Sequence, residues 1–265
     1  MTGTGSTAPA GAGEDLLGQH RGETVLITGA SSGIGRELAR QFAGDGADLV
    51  LIARSEDRLR ELAAELAAES GVTVEVVPAD LARPGSPDQI VQTLAQRQIE
   101  VDVLVNNAGF GRQLDMIEVN VAALTRLTAL LLPAMLERRR GGILNVASTA
   151  AFQPGPNSAV YYATKAYVLS FTEALAEEVR GSGVRVSCLA PGPTDTGFAA
   201  QAGATGSRLF RRGVMDAGRV ARAGHDGLRR GKTVVIPGLR NRALAVGARL
   251  SPRILATKIS GYMQA

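Results

Sequence analysis

The stretch Thr28-Gly29-Ala30-Ser31-Ser32-Gly33-Ile34-Gly35 follows an apolar, β-branched run at residues 24–28 and precedes a helical run at residues 36–42. Its glycines permit a tight turn, a close approach of an anion to backbone N–H groups, and tight contact between helix and strand. The first turn of the helix would face the anion with its partial positive charge. Glycines also mark plain turns, but strand, turn and helix in this order predict a phosphate site. The residues predicted to form it are Gly29, Ser31, Ser32, Gly33, Ile34 and Gly35.

Outward from this turn, short runs of Val, Ile and Leu alternate with longer stretches of helical period, which is typical of a parallel sheet covered by helices. Strands are predicted at residues 24–28, 48–53, 73–78, 101–106, 142–147, 184–190 and 233–236. Helices are predicted at residues 35–44, 56–69, 86–98, 118–138 and 161–180. The strands are apolar enough to be covered on both faces. We therefore predict an α/β fold: a single domain with a doubly wound, parallel, seven-stranded sheet and helices on both faces.

The composition sets the class of protein. With 265 residues, 45% of them apolar, the chain can bury a large core. The single cysteine, Cys188, excludes an intramolecular disulfide and favours a reducing, cytoplasmic location. Residues 1–21 are rich in small residues and lack the pattern of a signal peptide, so a disordered leader is expected there. Arg126 and Pro133 interrupt the longest apolar stretch, residues 119–136, so no membrane span is expected.

The charge is divided unevenly along the chain. Residues 1–200 carry 16 Lys and Arg against 23 Asp and Glu, whereas residues 201–265 carry 13 against 2. The C-terminal basic region is either a solvated face or a contact for an anionic partner. Nucleic acid is not expected as that partner, because the region lacks interleaved aromatic residues and a recognition motif. At residues 243–262 apolar runs alternate with cations, which favours contact with an anionic membrane surface or with another subunit.

The residues after the second predicted strand bear on the choice of nucleotide. A carboxylate at this place holds the ribose hydroxyls of NAD, but here the sequence is Ala53-Arg54-Ser55. Because Arg54 pairs well with a 2′-phosphate, NADP is favoured over NAD. The alternative is that Arg54 is a solvated loop residue. Asp48 does not favour NAD, because it lies at the opposite end of the strand.

Asp80 and Leu81 follow the third predicted strand and suit the edge of an adenine ring. The Asp80 carboxylate would accept a hydrogen bond from the exocyclic amine. Asp80 is also well placed to cap the turn before Ala82 and Arg83, and the sequence leaves both interpretations open.

Three further motifs carry a family resemblance: Asn106-Asn107-Ala108-Gly109, Ser148, and Tyr161-Tyr162-Ala163-Thr164-Lys165. With the glycine turn, they make residues 22–240 resemble the short-chain dehydrogenase/reductase superfamily, in the branch with a Tyr-x-x-x-Lys pair. The resemblance implies a one-domain Rossmann-like fold, a nicotinamide cofactor, and a catalytic centre of Ser148, Tyr161 and Lys165 completed by Asn120. It also implies cofactor contacts from Asn107, Ala108, Gly109, Gly192 and Thr194. The segment between Gly109 and Asn120 is shorter than is usual in the family, so a loop on the substrate side is expected to be trimmed.

The residue types of this centre suit carbonyl reduction. Reduction needs a hydride and an acid at the oxygen, and Tyr161 is the predicted acid. Lys165 lies four residues on, on the same helix face. At about 4 Å, a unit positive charge such as that of Lys165 would stabilise the phenolate by about 4 kcal/mol at a dielectric near 20. This would lower the pKa of Tyr161 from about 10 to near neutrality. Ser148 would orient the substrate oxygen, and Asn120 would hold a water linking Lys165 to solvent. Taken singly, each residue also fits a cap or surface position.

The predicted function is therefore an oxidoreductase that moves a hydride between NADP(H) and an alcohol or ketone carbon. An apolar substrate is expected from the predicted pocket wall of Ala150, Ala151, Phe152, Pro154, Pro156 and Phe198. Residues 201–213 would form a lid. The apolar helix near residues 119–136 suggests burial by a second subunit, hence a homodimer or homotetramer. The alternative is a catalytically weakened protein that binds NADP(H) as a sensor or scaffold. The chain is thus divided into a leader (1–21), a catalytic domain (22–240) and a basic extension (241–265).

Overall fold

Seven short strands form one parallel sheet in the order β3-β2-β1-β4-β5-β6-β7. The computed structural model describes residues 20–109, 115–196 and 214–264. The strands are β1 (Thr24–Thr28), β2 (Asp48–Ala53), β3 (Val74–Pro78), β4 (Val103–Asn106), β5 (Gly141–Val146), β6 (Val184–Leu189) and β7 (Val234–Val235). The chain order reverses between β1 and β4, and ligands bind at such a switch point in sheets of this kind.

Helices cover both faces of the sheet. They are α1 (Gly33–Gly44), α2 (Glu56–Ser70), α3 (Ser86–Gln96), α4 (Asp115–Arg138), α5 (Ala159–Glu178), α6 (Ala217–Arg229), α7 (Leu239–Leu250) and α8 (Arg253–Gln264). One short 3₁₀ helix spans Thr149–Phe152. The predicted doubly wound, seven-stranded, single-domain α/β fold is thereby confirmed.

Alternate residues of each strand serve two separate cores. Val25 and Ile27 of β1 pack in one core with α1, α2 and α6. Leu26, between them in sequence, packs on the opposite face, in a core that includes side chains of α3, α4 and α5. This alternation follows from the period of two in a strand, and it explains why β1 is apolar at every position of its middle.

The strand boundaries differ from the predicted ones at residues 101–106, where β4 starts at Val103. Asp102 precedes the strand, is buried, and accepts a hydrogen bond from the Thr24 N–H at 3.0 Å. Arg140 donates to the same carboxylate at 3.0 Å. The buried carboxylate thus ends the apolar run and ties the start of β4 to the start of β1.

Helix α6 was not predicted because three glycines, at 218, 224 and 227, count against a helix in sequence. In the structure two of them permit a close approach to the sheet. A Cβ added at Gly224 would lie 2.7 Å from Leu189, and one at Gly227 would overlap Val235. Helices α7 and α8 were also not predicted, since their many exposed apolar residues blur the helical period.

Helix α4 runs unbroken through Arg126 and Pro133, in agreement with the helix predicted at residues 118–138. Its 24 residues make it the one helix in the described ranges that by length and composition is apolar enough to cross a membrane. However, its inner face, with Val119, Leu127 and Met135, is buried in the core of the sheet. Packing on the sheet therefore accounts for its apolar character.

Three expectations lie outside the described residues: the leader up to residue 19, Phe198 of the pocket wall, and the lid at residues 201–213. The division into residues 22–240 and 241–265 stays a prediction. Helix α7 begins at Leu239, two residues before the second of those boundaries.

Candidate active site

The glycine turn is fastened to the end of β4 by Thr28 and Asn107. The Thr28 hydroxyl accepts from the N–H groups of Asn107 and Ala108, at 3.1 and 3.0 Å, and donates to the Val105 carbonyl at 3.3 Å. The Asn107 amide donates to the carbonyls of Thr28 and Gly29, at 2.9 and 3.2 Å. Asn107 therefore supports the turn from behind, and its predicted contact with a cofactor stays a prediction.

The backbone of the turn suits a phosphate. Gly29 and Gly33 have φ of +67° and +56°, a region that favours glycine. A Cβ added at Gly29 would lie 2.9 Å from the Ala108 Cα, and one at Gly35 would overlap the Asn107 amide. Helix α1 begins without a side-chain cap from Ser32 and has no acidic residue in its first turn. Its N-terminus is therefore suited to bind an anionic group such as a dinucleotide pyrophosphate.

A cleft of about 400 Å³ adjoins this turn. It is lined by Ser31, Ser32, Gly33, Arg36, Glu37, Arg58, Glu61, Asp195, Thr196 and Ala217. Sequence reasoning named the first three but missed Arg36 and Arg58. Arg36 lies in the first turn of α1 and donates to Glu65 at 2.9 Å, while Arg58 lies in the first turn of α2. Each arginine lies in the first turn of the helix that follows a predicted strand, and this position could have identified it from the sequence.

Arg54 immediately follows β2 and is exposed at the carboxyl edge of the sheet, and its contact with a 2′-phosphate stays a prediction. Asp48 lies at the opposite end of β2, where it accepts from the Thr73 N–H at 2.7 Å. The Asp48 carboxylate is therefore not at the end of β2 where Arg54 lies. The predicted preference for NADP is consistent with this arrangement.

Asp80 and Leu81 follow β3. The Asp80 carboxylate accepts from the Ala82 N–H at 3.1 Å, so it caps this turn as the local interpretation predicted. Leu81 is buried in the core with Ile52 and Ile90. Contact of either residue with an adenine ring stays a prediction.

Ser148 lies just beyond β5 at the same edge of the sheet. Its hydroxyl accepts from the Ala150 N–H at 3.1 Å and so caps the 3₁₀ helix. The hydroxyl also lies 3.4 Å from the Pro191 carbonyl, to which it donates, and Pro191 follows β6. Ser148 is thereby held between two strand ends.

Tyr161, in the first turn of α5, forms a hydrogen bond with Ser148. Burial raises the pKa of Tyr161 above its usual value, and the Ser148 hydrogen bond opposes this rise only in part. The protein's own groups thus do not lower the pKa as the sequence analysis expected. The Lys165 ammonium, 6.0 Å from the centre of the phenol ring, does not offset the effect of burial.

Lys165 is buried beneath Tyr161, and its ammonium donates to the Val146 carbonyl at 2.8 Å. Burial lowers the pKa of Lys165 to about 8. Gly109 lies beside the ammonium: a Cβ added there would be 3.7 Å from both Lys165 Nζ and Asn120 Oδ1. The structure thus brings Gly109, Asn120 and Lys165 together, even though the segment before Asn120 is short.

Asn120 lies in a π-helical turn, Glu118–Ala123, inside α4. It is buried, and its amide donates to the Thr164 hydroxyl at 3.1 Å. Thr164 in turn donates to the Tyr161 carbonyl at 2.9 Å. Such π turns often occur at functional sites. Thr164, inside the Tyr-x-x-x-Lys motif, is a link between α4 and α5 that sequence reasoning missed.

The loop after β6 holds Gly192 and Thr194. Thr194 pairs with Met215 in an isolated bridge, and its hydroxyl donates to the Gly192 carbonyl at 2.9 Å. A Cβ added at Gly192 would be 2.6 Å from the Asn241 Oδ1. Asn241 also donates to the Pro237 carbonyl at 2.9 Å. The start of α7 therefore supports this loop, a role that no local sequence signal indicated.

Comparison with known proteins agrees with this geometry. A sequence model of the short chain dehydrogenase family matches residues 23–206. A short chain dehydrogenase of Pseudocercospora fijiensis is 37% identical over 201 residues, which cover 71% of this chain and 65% of that protein. A short-chain dehydrogenase from Sphingobium yanoikuyae, solved with NADPH, is 38% identical, with a TM-score of 0.77 over 86% of this chain and 93% of that one. A Burkholderia phymatum member solved with NAD is 26% identical, with a TM-score of 0.76 over 88% and 93%.

The buried Lys165 predicts a pH dependence of stability. Its pKa in the folded protein, about 8, lies below the unfolded value, so unfolding takes up a proton at intermediate pH. The contribution of Lys165 to the free energy of unfolding should therefore rise between about pH 8 and pH 10, by at most about 1.4 kcal/mol per pH unit. The buried Cys188, whose pKa is raised to about 12, contributes a slope of the opposite sign, so the test is a difference between variants. In urea denaturation, the stability of the wild type minus that of Lys165→Met should rise over this range. The matched control is Lys258→Met, at an exposed lysine, which should follow the wild-type curve; parallel curves for the wild type and Lys165→Met would contradict the assignment.

Proposed function

The chain belongs to the short-chain dehydrogenase/reductase family, and from that premise we propose that it transfers a hydride between NADP(H) and an alcohol or ketone carbon of an apolar small molecule. One observation carries the proposal. Ser148, Tyr161 and Lys165 come together at the carboxyl edge of β5, next to the glycine turn after β1. A nicotinamide placed at that edge would supply the hydride, and the protein would supply the proton.

Tyr161 is the proposed proton donor to the substrate oxygen. Its raised pKa keeps the phenol protonated at neutral pH, which suits reduction. Ser148, held by the Ala150 N–H and bonded to Tyr161, orients the substrate oxygen beside the phenol. In the direction of alcohol oxidation, the phenol must lose its proton, and nearby positive charge lowers the cost of doing so.

Lys165 is the proposed source of that charge. Because its pKa is about 8, it is mostly protonated at neutral pH and exchanges protons readily near that value. Asn120 lies beside it across Gly109 and would hold a water that carries protons from solvent. Two hydrogen bonds, from Asn120 to Thr164 and from Thr164 to the Tyr161 carbonyl, fix the spacing between α4 and the start of α5.

Arg54 supports NADP(H) over NAD(H) as the cofactor. It follows β2 at the edge where ribose binds in such folds, and a cation takes the place of the carboxylate that holds the ribose of NAD. Arg58 lines the adjoining cleft and adds a second cation.

The substrate class follows from the wall beside Ser148. Ala150, Ala151, Phe152, Pro154 and Pro156 follow β5, and Ala151 and Phe152 pack on the core that contains Val168. Such a wall offers few hydrogen bonds, so it favours an apolar alcohol or ketone over a sugar.

Tyr161→Phe tests the proposed acid. Removal of the one hydroxyl should lower kcat by at least about 100-fold, the usual contribution of a general acid, while leaving NADPH binding within about twofold. Turnover is measured with a panel of ketones, and binding by NADPH fluorescence titration. Tyr162→Phe is the matched control and should keep most of the activity, since Tyr162 lies only three residues from Lys165. Near-normal turnover in Tyr161→Phe would refute the assignment.

The same panel separates the enzyme from the alternative of a sensor or scaffold. If the wild type binds NADPH but reduces no ketone and oxidises no alcohol, the sensor interpretation is favoured. The intact set of Ser148, Tyr161 and Lys165 speaks against that outcome.

Arg54→Ala tests the cofactor preference. Loss of a charge-assisted hydrogen bond worth about 1.5–3 kcal/mol should weaken NADPH binding by roughly 10- to 100-fold. NADH binding should change little, because that nucleotide has no 2′-phosphate. Arg60→Ala is the control, since Arg60 is exposed and paired with Glu56. An equal effect of Arg54→Ala on both nucleotides would show that Arg54 does not read the phosphate.

Two further proposals extend the sequence analysis. A cytoplasmic location is supported by Cys188, which is fully buried and therefore has a packing role. A homodimer or homotetramer is supported by the outer faces of α4 and α5, where Ile117, Leu136 and Tyr167 are exposed within the described ranges.

We also propose that α7 and α8 rest on an anionic membrane surface. Their exposed large apolar residues are Leu239, Leu244, Val246, Leu250, Ile254, Leu255, Ile259 and Tyr262. The same helices carry five cations and no acidic residue. Two copies facing each other through this surface would repel, so a second subunit is disfavoured as its partner. Helix α7 packs on the 3₁₀ helix after Ser148, and Gly261 of α8 packs on Pro156. The membrane would therefore lie beside the apolar wall.

Vesicle co-sedimentation tests the membrane contact. The protein should pellet with vesicles that contain phosphatidylserine and much less with pure phosphatidylcholine, because both apolar burial and charge contribute to binding. Ile254→Glu should lower the bound fraction severalfold. Ile117→Glu, which places the same charge at an exposed isoleucine of α4, is the control. Absence of the wild type from both pellets would exclude the proposal.

A further inference from the structure

A second cluster of reactive side chains lies at the edge of the sheet opposite the candidate active site. His20 precedes β1, Asp45 follows α1, and His225 lies in the C-terminal half of α6. All three residues are more than nine-tenths buried, with exposed fractions of 7%, 8% and 3%. One ligand atom from each lies within 4.8 Å of the other two. These are the only histidines of the chain.

Both imidazoles have a buried nitrogen without a hydrogen-bond partner among the described residues: Nε2 of His20 and Nε2 of His225. Burial of an unpaired polar atom is costly and therefore uncommon. The His225 Nε2 lies 3.3 Å from an Asp45 carboxylate oxygen. Each ring therefore holds a buried nitrogen with no hydrogen-bond partner among the described residues, and one buried carboxylate lies close to both rings.

The other nitrogen of each ring faces a carboxylate. His20 Nδ1 contacts the Glu23 carboxylate, and His225 Nδ1 lies 3.7 Å from an Asp226 oxygen. A carboxylate at Nδ1 stabilises the tautomer with the proton there, which leaves the Nε2 lone pair for another partner. Histidines that ligate a metal nearly always have such an outer partner.

A phenyl ring and a guanidinium enclose the cluster. Phe42 contacts both rings edge-on, at 5.1 and 4.7 Å between ring centres. The Arg229 guanidinium lies 3.2 Å from the same Asp45 oxygen that faces His225. This arginine pairs with one carboxylate oxygen of Asp45 and leaves the second oxygen for a metal.

We propose that His20, Asp45 and His225 bind a divalent zinc-class metal ion that has no part in hydride transfer. Two imidazoles and one carboxylate are a common ligand set for zinc, with a water as the fourth ligand. Zinc–ligand bonds of about 2.0–2.2 Å require the three groups to close slightly around the ion. The metal would join the segment before β1, the α1–β2 turn and α6, which are far apart in sequence.

The experiment uses full-length protein without a histidine tag, stripped of metal and then titrated with ZnCl₂ against a chromophoric chelator. We expect about one zinc per chain, and a rise in melting temperature on zinc addition. His225→Gln should weaken binding by more than 100-fold. Glu23→Gln, which changes only an outer partner, should weaken it by roughly 10- to 100-fold.

Two control variants address other donors. Cys188→Ala should keep the site, because the thiol lies in a different core. Asp57→Asn removes an exposed carboxylate of α2 and should also leave binding unchanged. Loss of zinc in Cys188→Ala with the fold retained would assign the metal elsewhere and overturn the proposal.

A direct readout on the wild type covers the case in which His225→Gln does not fold. Because the chain has two histidines, its imidazole NMR spectrum contains only their signals. Zinc should shift both sets of resonances at one equivalent. Unmoved resonances, or the absence of stoichiometric zinc in the wild type, would overturn the proposal, as would unchanged zinc affinity in a folded His225→Gln.

Discussion

The contact between Thr28 and Asn107 is the constraint on which the functional edge of the sheet depends. It joins the end of β1 to the end of β4, the two strands between which the chain order reverses. A crevice opens at this place in any doubly wound sheet, but its shape depends on how the two strand ends are held. Here the Thr28 hydroxyl and the Asn107 amide form hydrogen bonds with five backbone groups, which fix the start of the glycine turn against the end of β4. The same contacts hold the backbone directly before Gly109, which lies beside Lys165 and Asn120.

The electrostatics of the candidate site follow from burial. Burial disfavours the charged form of each group, so the pKa of Tyr161 rises and the pKa of Lys165 falls to about 8. Tyr161 therefore keeps its proton at neutral pH, whereas Lys165 can lose and regain a proton close to that pH. Burial of these groups costs free energy, and the hydrogen bonds of Lys165 to the Val146 carbonyl and of Asn120 to Thr164 hold the site together. The same burial both positions the side chains and shifts their pKa values.

Local patterns in the sequence predicted the sheet and the glycine turn, whereas the residues around Tyr161 were identified through a family resemblance. A short apolar run such as residues 48–53 is typical of a strand that is covered on both faces. Helix α6 was not predictable, since Gly224 and Gly227 become favourable only when Leu189 and Val235 lie against them. The link from Asn241 to Gly192, and the grouping of His20 with His225, depend on residues that meet only after the sheet has formed. The residue roles at the active site stay predictions, because geometry alone does not demonstrate turnover.

The close seating of α6 has a mechanical consequence. With glycines against the sheet, the helix axis lies nearer to β6 and β7 than longer side chains would allow. Asp216 caps the helix immediately after Met215, whose backbone pairs with the Thr194 loop. The loop that contains Thr194 is thus joined to a helix that packs closely on the sheet. Movement of this loop would require movement of the helix, so adjustment to differently shaped molecules would have to come from other parts of the site.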